Sequence, residues 1–185
     1  PEYILTDEFT SIVEATRVAL EAKASAAGNP GQWPVLNYQY GYIEELNETL
    51  SQWEADPAKS DLKFPLVYLA EPFITDHGEI GIYGEATCDL FLINSASKTH
   101  KAHERMSVNY KPVLYPIRRE LLKQISLSTV FNNSTLAAIK HRTTKGYYWG
   151  ENQKAVLNDA VDCLKLSGMK LRIHDKQNCT PTKSF

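Results

Sequence analysis

Two short apolar runs constrain the fold of this chain more than any other feature of its sequence. Residues 64–69 read Phe-Pro-Leu-Val-Tyr-Leu, and residues 86–94 include the continuous apolar segment Leu90-Phe91-Leu92-Ile93. Both runs are too short for a typical helix and are rich in residues that pack well in sheets. Each run predicts a buried strand. In the first run, Pro65 should lie at the strand start or on a sheet edge, because it lacks an N–H donor.

The segment between these runs has the pattern of a β-hairpin. Residues 76–79, Asp-His-Gly-Glu, are a turn candidate with apolar residues on both sides. These apolar residues are Phe73, Ile74, Ile80, Ile82 and Tyr83. Two interpretations stay open: the hairpin, at about residues 73–84, is an exposed arm that contacts another subunit, or it closes over the core of its own subunit.

Apolar residues at three- and four-residue steps predict two helices before the first strand. The first covers residues 7–27, with an N-cap at Thr6 or Asp7. The second is a short acidic helix over residues 43–53, which places its glutamates outward and its isoleucine, leucines and tryptophan inward. Both patterns are typical of helices that lie on a sheet with one face in water.

The second half of the chain predicts one more helix and further strands. A helix over residues 112–126 keeps Pro112 and Pro116 near its first turn, where a missing N–H has no intrahelical partner. Alternation predicts a strand at residues 136–144. A terminal hairpin is expected to turn at Ser167-Gly168.

The order of these elements predicts an α+β fold. Neighbouring strands joined by short turns favour a mostly antiparallel sheet, with two or three helices packed on one face. With 185 residues, the chain fits a single domain at 1–185. Within it we expect the hairpin arm at about 73–84 and a frayed tail at about 175–185.

Composition and charge narrow the class of protein. The net charge of −2 argues against a protein whose main function is to bind nucleic acid, so no specific nucleic-acid binding is expected. The three cysteines form no C-x-x-C pair and favour reduced thiols. No apolar run reaches the length of a membrane helix, and no signal peptide pattern opens the sequence.

Few residues point to catalysis. His100 and His103 are three positions apart and could share a helix face as metal ligands, and Cys88 could serve as a nucleophile in a small hydrolase. The polar context of the histidines and the apolar strand around Cys88 favour a solvated surface and a structural thiol instead. We therefore expect no catalytic residues, no cofactor and no metal.

The aromatic side chains of residues 32–42 form a second candidate site. Trp33, Tyr38, Tyr40 and Tyr42 could stack on bases or carbohydrate, which would make the protein an aromatic-rich ligand-binding module. No lysine or arginine interrupts this stretch. The favoured interpretation is a loop held to the core by large rings.

Charge is distributed unevenly along the chain. Glu44, Glu45 and Glu48 make the first part acidic, whereas Arg118 and Arg119 make the third helix basic. Unlike patches on one small domain suit head-to-tail association into a ring. Arg118 and Arg119 are therefore candidate interface residues, as are the five apolar residues of the hairpin.

The layout of the chain resembles that of a known family. A first amphipathic helix is followed by the strand at residues 64–69 with Glu71-Pro72 after it, the hairpin, the strand at 86–94 and the helix around 113–117. Tyr148-Trp149-Gly150 and the closing strands at 159–173 complete the layout. This order is similar to that of the tail terminator or tail-completion proteins at the head–tail neck of long-tailed bacteriophages.

The resemblance implies a structural virion protein that is not an enzyme. Members of the family form rings, commonly hexamers, that sit on the end of the tail tube and present a surface to the head connector. The implied partners are further copies of this chain, the tail tube protein and head-connector proteins, with no membrane. The implied location is the virion, assembled in the host cytoplasm.

Overall fold

The computed structural model describes residues 2–77, 83–131, 139–148 and 160–174. Its helices are α1 (Glu2–Ala26), α2 (Ile43–Ala55), α3 (Ala102–Arg105) and α4 (Tyr115–Leu127), with a π-helix (Met106–Leu114) between α3 and α4. Its strands are β1 (Asn37–Gly41), β2 (Leu66–His77), β3 (Tyr83–Ser95), β4 (Arg142–Tyr148) and β5 (Val161–His174). A short 3₁₀ turn (Ser60–Leu62) precedes β2.

One five-stranded sheet organises these elements, in the order β1-β2-β3-β5-β4. Strand β1 runs parallel to β2, and the other neighbours are antiparallel. Strands β1 and β4 are therefore the two edges of the sheet. The predicted α+β class with a mostly antiparallel sheet is confirmed.

The two faces of the sheet bury different sets of side chains. On the main face, α1 and α4 pack against residues such as Leu90, Leu92 and Leu166. On the opposite face, Leu46 and Leu50 of α2 pack in a smaller cluster with strand residues. That cluster includes Leu66, Tyr68, Phe91, Ile93, Val161 and Cys163. Helices α1 and α4 thus share one face, and the acidic helix α2 lies on the other.

Helix α1 begins earlier than the sequence pattern predicts. The N-cap expected at Thr6 or Asp7 is wrong, because the helix already includes Glu2. Leu5 is fully buried and lies one turn before the buried Phe9. The apolar face therefore extends by a further turn, and this burial outweighs the capping signal.

The aromatic segment forms a strand where a loop is predicted. Asn37–Gly41 pairs in parallel with Leu66–Ala70 of β2. A five-residue strand of mixed polarity carries almost no periodic signal, and its partner lies beyond α2 in the chain. The prediction of a loop was therefore wrong at residues 37–41, although Trp33 just before it is buried as expected.

Strand β2 contains both the first apolar run and the first half of the predicted hairpin. It starts at Leu66, directly after Pro65, as the missing N–H donor requires. Its first five residues are buried, which confirms the prediction of a strand covered on both faces. An irregularity in the register between Ala70 and Ile74 contains Pro72, and beyond it β2 continues to pair with β3.

The predicted terminal hairpin is wrong, because β5 is one continuous strand. The residues of β5 that face the main core are even-numbered as far as Leu166 and odd-numbered from Met169 onward. This change of parity arises at a bulge, where Ser167 and Gly168 oppose the single residue Asp89 between the pairs Cys88↔Met169 and Leu90↔Leu166. Gly168 has φ +61° and donates its N–H to the Asp89 carboxylate at 2.8 Å.

The proline-containing helix is continuous in direction but changes its type. Pro112 lies inside the π-helix, and Pro116 lies in the first turn of α4. The predicted start near residue 112 was therefore three residues early, while the expected place of Pro116 is confirmed. The wider π-helical turns bury Asn109 and Tyr110, which are adjacent in sequence, against the sheet.

Candidate interaction surfaces

The apolar residues predicted as an interface separate into two groups. Phe73 is half-buried and packs against the main core, so it belongs to its own subunit. Ile74, the next residue in β2, has 60% of its surface exposed. Tyr83 opens β3 and its backbone pairs with His174, whereas Ile80 and Ile82 lie outside the described residues. Of the two members of this set whose side chains the structure describes, Ile74 is the one exposed enough to contact another molecule.

The edge of β2 is open beside Ile74. Strand β1 ends at Gly41, opposite Ala70, whereas β2 continues to His77. In the part of the chain that the structure describes, residues 71–77 of β2 have no strand on this side. Their outward backbone groups form an unpaired edge, which can accept a strand from another chain.

Arg118 and Arg119 point to different parts of the molecule. Arg118 is half-buried, with its Nη2 atom 3.4 Å from Nε2 of His141 just before β4. Arg119 is exposed and lines a cavity of about 380 Å³ on the α1 side, together with Lys23 and Trp33. The two predicted interface arginines therefore do not form a single patch.

Arg118 belongs to a strip of cations beside the edge strand β4. This basic ridge consists of Lys111, Arg118 and Lys145, and Lys111 and Lys145 are exposed. Lys145 places its Nζ atom 5.1 Å from the ring centroid of Tyr110, whose hydroxyl donates to the Gly146 carbonyl at 2.7 Å. Among the described residues, these three cations form no ion pair.

A buried polar network lies beneath the π-helix. Asp162 is fully buried; its Oδ2 atom accepts a hydrogen bond from the Asn109 amide at 2.7 Å. Its Oδ1 atom lies 3.5 Å from Nη1 of the buried Arg105, which also donates to the His100 carbonyl. The Asn109 side chain in turn accepts from Asn94 at 2.8 Å. This network ties α3 and the π-helix to β3 and β5.

The network borders a cavity that opens beside Lys145. The cavity has a volume of about 260 Å³ and is lined by His100, Ala102, Arg105, Tyr110, Lys145, Gly146 and Asp162. Burial raises the pKa of the Tyr110 hydroxyl, which favours its neutral form as a hydrogen-bond donor. The sequence alone did not predict this site. A signal was present, because Asp162 lies inside the apolar run Val161–Leu164, and a carboxylate buried there needs a polar partner.

The candidate hydrolase residues are not brought together. His100 borders the cavity, His103 is exposed on α3, and Cys88 faces the main core from β3. Burial raises the pKa of the Cys88 thiol to about 12, so the reactive thiolate is disfavoured. Among the described residues, no group of three or more histidine, cysteine, aspartate or glutamate side chains is arranged to hold a metal ion.

The predicted aromatic site is dispersed by the fold. Trp33 is buried, and Tyr38 packs on Phe9 with ring centroids 6.4 Å apart. Tyr40 and Tyr42 are each about half exposed, and the Tyr42 carbonyl accepts a hydrogen bond from Tyr68 at 2.5 Å. The first two rings serve the core, which leaves only Tyr40 and Tyr42 at the β1 edge to contact a ligand.

Comparisons with known proteins add no identity to these surfaces. No protein-family profile, no curated protein and no solved structure matches this chain. None of the helices in the described ranges is both long and apolar enough to cross a lipid bilayer.

Proposed function

We propose that this chain is a structural virion protein of a tailed bacteriophage, which forms a ring as a tail terminator or neck subunit. In this role it is not an enzyme. Copies of the chain join into a closed ring, hexameric by resemblance, between the tail tube and the head connector. The ring would be part of the virion and would assemble in the host cytoplasm.

The observation that carries this proposal is the open edge of β2. Within the described ranges, residues 71–77 extend beyond β1 with unpaired backbone groups on one side, and Ile74 exposes 60% of its surface. A long strand edge with an exposed apolar residue is an aggregation risk unless a partner covers it. Strand β4 forms the opposite edge, so each subunit offers two different edges to its neighbours. Unlike contact surfaces of this kind generate a ring when the rotation between neighbouring subunits closes on itself.

Burying Ile74 in a subunit contact would stabilise each interface appreciably. Fully burying an isoleucine side chain contributes about 1.5–3 kcal/mol, and Ile74 has 60% of its surface left to bury. The corresponding gain is about 1–2 kcal/mol per contact, and a closed ring contains one such contact per subunit.

The test replaces Ile74 with aspartate. The Ile74→Asp variant should remain folded, because the side chain is exposed, and should lose the ring that the wild-type protein forms. Val18→Asp is the matched control, since Val18 is 51% exposed on the outer side of α1. Sedimentation velocity and negative-stain imaging distinguish the outcomes. Rings that persist in Ile74→Asp, or that disappear equally in Val18→Asp, would argue against an interface at the β2 edge.

A further inference from the structure

Opposite charges lie on two different surfaces of the molecule. Helix α2 lies on the sheet face opposite α1 and α4, where Leu46 and Leu50 pack with residues of β2, β3 and β5. The basic ridge lies beside the edge strand β4. The chain therefore carries an acidic surface on one sheet face and a basic surface at the β4 edge.

The acidic surface consists of two glutamates on one stripe of α2. Glu45 accepts a hydrogen bond from the Tyr42 N–H, and Glu54 pairs with Lys63, so both are used within the subunit. Glu44 and Glu48 are exposed and make no ion pair within the described residues. They are four positions apart on the helix, where like charges repel each other. A cation from another molecule would relieve this repulsion.

The basic ridge offers a matching receptor for a carboxylate. The cavity beside Lys145, at about 260 Å³, has room for the end of a glutamate side chain. Arg105 and Asp162 largely neutralise each other at its inner side, so the ammonium group of Lys145 determines the charge at its mouth. A side chain that enters a pocket at the centre of a contact can carry much of the binding energy.

We propose that the basic ridge of one subunit docks the acidic stripe of α2 from the next copy of this chain. In this contact, the carboxylate of Glu44 or Glu48 lies at the cavity beside Lys145. The inference rests on the proposed ring, since it identifies which surfaces of neighbouring subunits meet. Each subunit uses its ridge on one side and its α2 stripe on the other, so the contact is head-to-tail.

A second copy fits the ridge better than nucleic acid does. The complementary acidic stripe is present on the same chain, on a different surface from the ridge. The whole chain has a net charge of −2, which weakens long-range attraction of a polyanion to a single basic strip.

The test uses two variants that each lose one of the two surfaces. Lys145→Glu reverses the charge at the cavity, and the double variant Glu44→Gln/Glu48→Gln removes the acidic surface without creating a new attractive pair. Each variant alone should fail to form rings, with self-association weakened by about 30-fold or more, as expected for a central contact. Mixed together, they retain one intact pair of surfaces and should form a one-to-one heterodimer that grows no further. Arg172→Glu is the matched control, because this exposed cation on β5 lies outside the ridge and should leave rings intact.

Native mass spectrometry of each variant and of the mixture separates the possible results. A heterodimer in the mixture supports the inference. Wild-type rings together with unaffected rings in both variants would overturn this inference and leave the ring itself standing. A wild-type protein that forms no ring, with no heterodimer in the mixture, would overturn the inference and the proposed function together. Binding of duplex DNA that Lys145→Glu abolishes, with rings unaffected, would assign the ridge to nucleic acid and refute docking between copies.

Discussion

Removing the positive charge of Arg105 should destabilise the fold more than any change to a surface ion pair. Asp162 is fully buried, and Arg105 is the cation beside it, at 3.5 Å. Breaking a buried pair by removing one partner typically costs about 3–5 kcal/mol, because the other charge stays buried without compensation. A whole domain is stable by only about 5–15 kcal/mol, so the Arg105→Met variant should lose a large fraction of its stability.

A double-mutant cycle measures how much of this cost comes from the pair itself. Arg105→Met and Asp162→Asn should each be strongly destabilising, and the double variant should lose about 2 kcal/mol less than the sum of the two. The assay is urea unfolding monitored by circular dichroism. The slope of the unfolding free energy against urea concentration should be the same for all variants, so that their stabilities can be compared.

The control pair is Lys165 and Asp89, which are closer together, at 2.7 Å, but about one third exposed. Solvent screening should limit their coupling energy to at most about 1 kcal/mol. Additive effects of Arg105→Met and Asp162→Asn, with a coupling energy below about 0.5 kcal/mol, would refute the claim that this network fastens the π-helix to the sheet.

Two further predictions follow from the shifted pKa values. The Glu21 carboxylate accepts hydrogen bonds from the N–H groups of Gly31 and Trp33, which lower its pKa below the ordinary value of 4.5. The stability advantage of the wild-type protein over Glu21→Gln should therefore be complete above about pH 5 and should shrink as the pH falls below 4.5. Thermal unfolding measured at a series of pH values tests this. A difference in stability that stays constant with pH would contradict it. In a Cys163→Ala/Cys179→Ser background, Cys88 is the remaining thiol, and burial raises its pKa to about 12. It should react with a thiol reagent at pH 8 only after unfolding, and rapid reaction of the folded protein would contradict its buried position.

The elements with strong local patterns were predictable from the sequence. The apolar runs of β2 and β3 and the apolar stripe of α2 each contain enough periodic residues to define both type and buried face. Pro65 and Pro116 marked element starts correctly, because a missing N–H donor is tolerated in few places.

The remaining features depend on partners that are distant in sequence. Strand β1 exists because it can pair with β2 across the whole of α2, which no local pattern reveals. Ser167-Gly168 suits a turn and a β-bulge equally well. The two are distinguished only by the buried residues on either side, which change from even-numbered to odd-numbered positions across a bulge. The basic ridge combines residues from α4, the π-helix and β4, so its pocket becomes visible only once these elements are adjacent.

The central claim is that copies of this chain close into a ring through two different surfaces. The most direct test is the native mass of the wild-type protein across a range of concentrations, with imaging of any large species. Closed rings with a single defined number of subunits are expected, and their population should fall as salt screens the charged contact. A protein that stays monomeric at every attainable concentration, or that stops at a twofold-symmetric dimer, would contradict it.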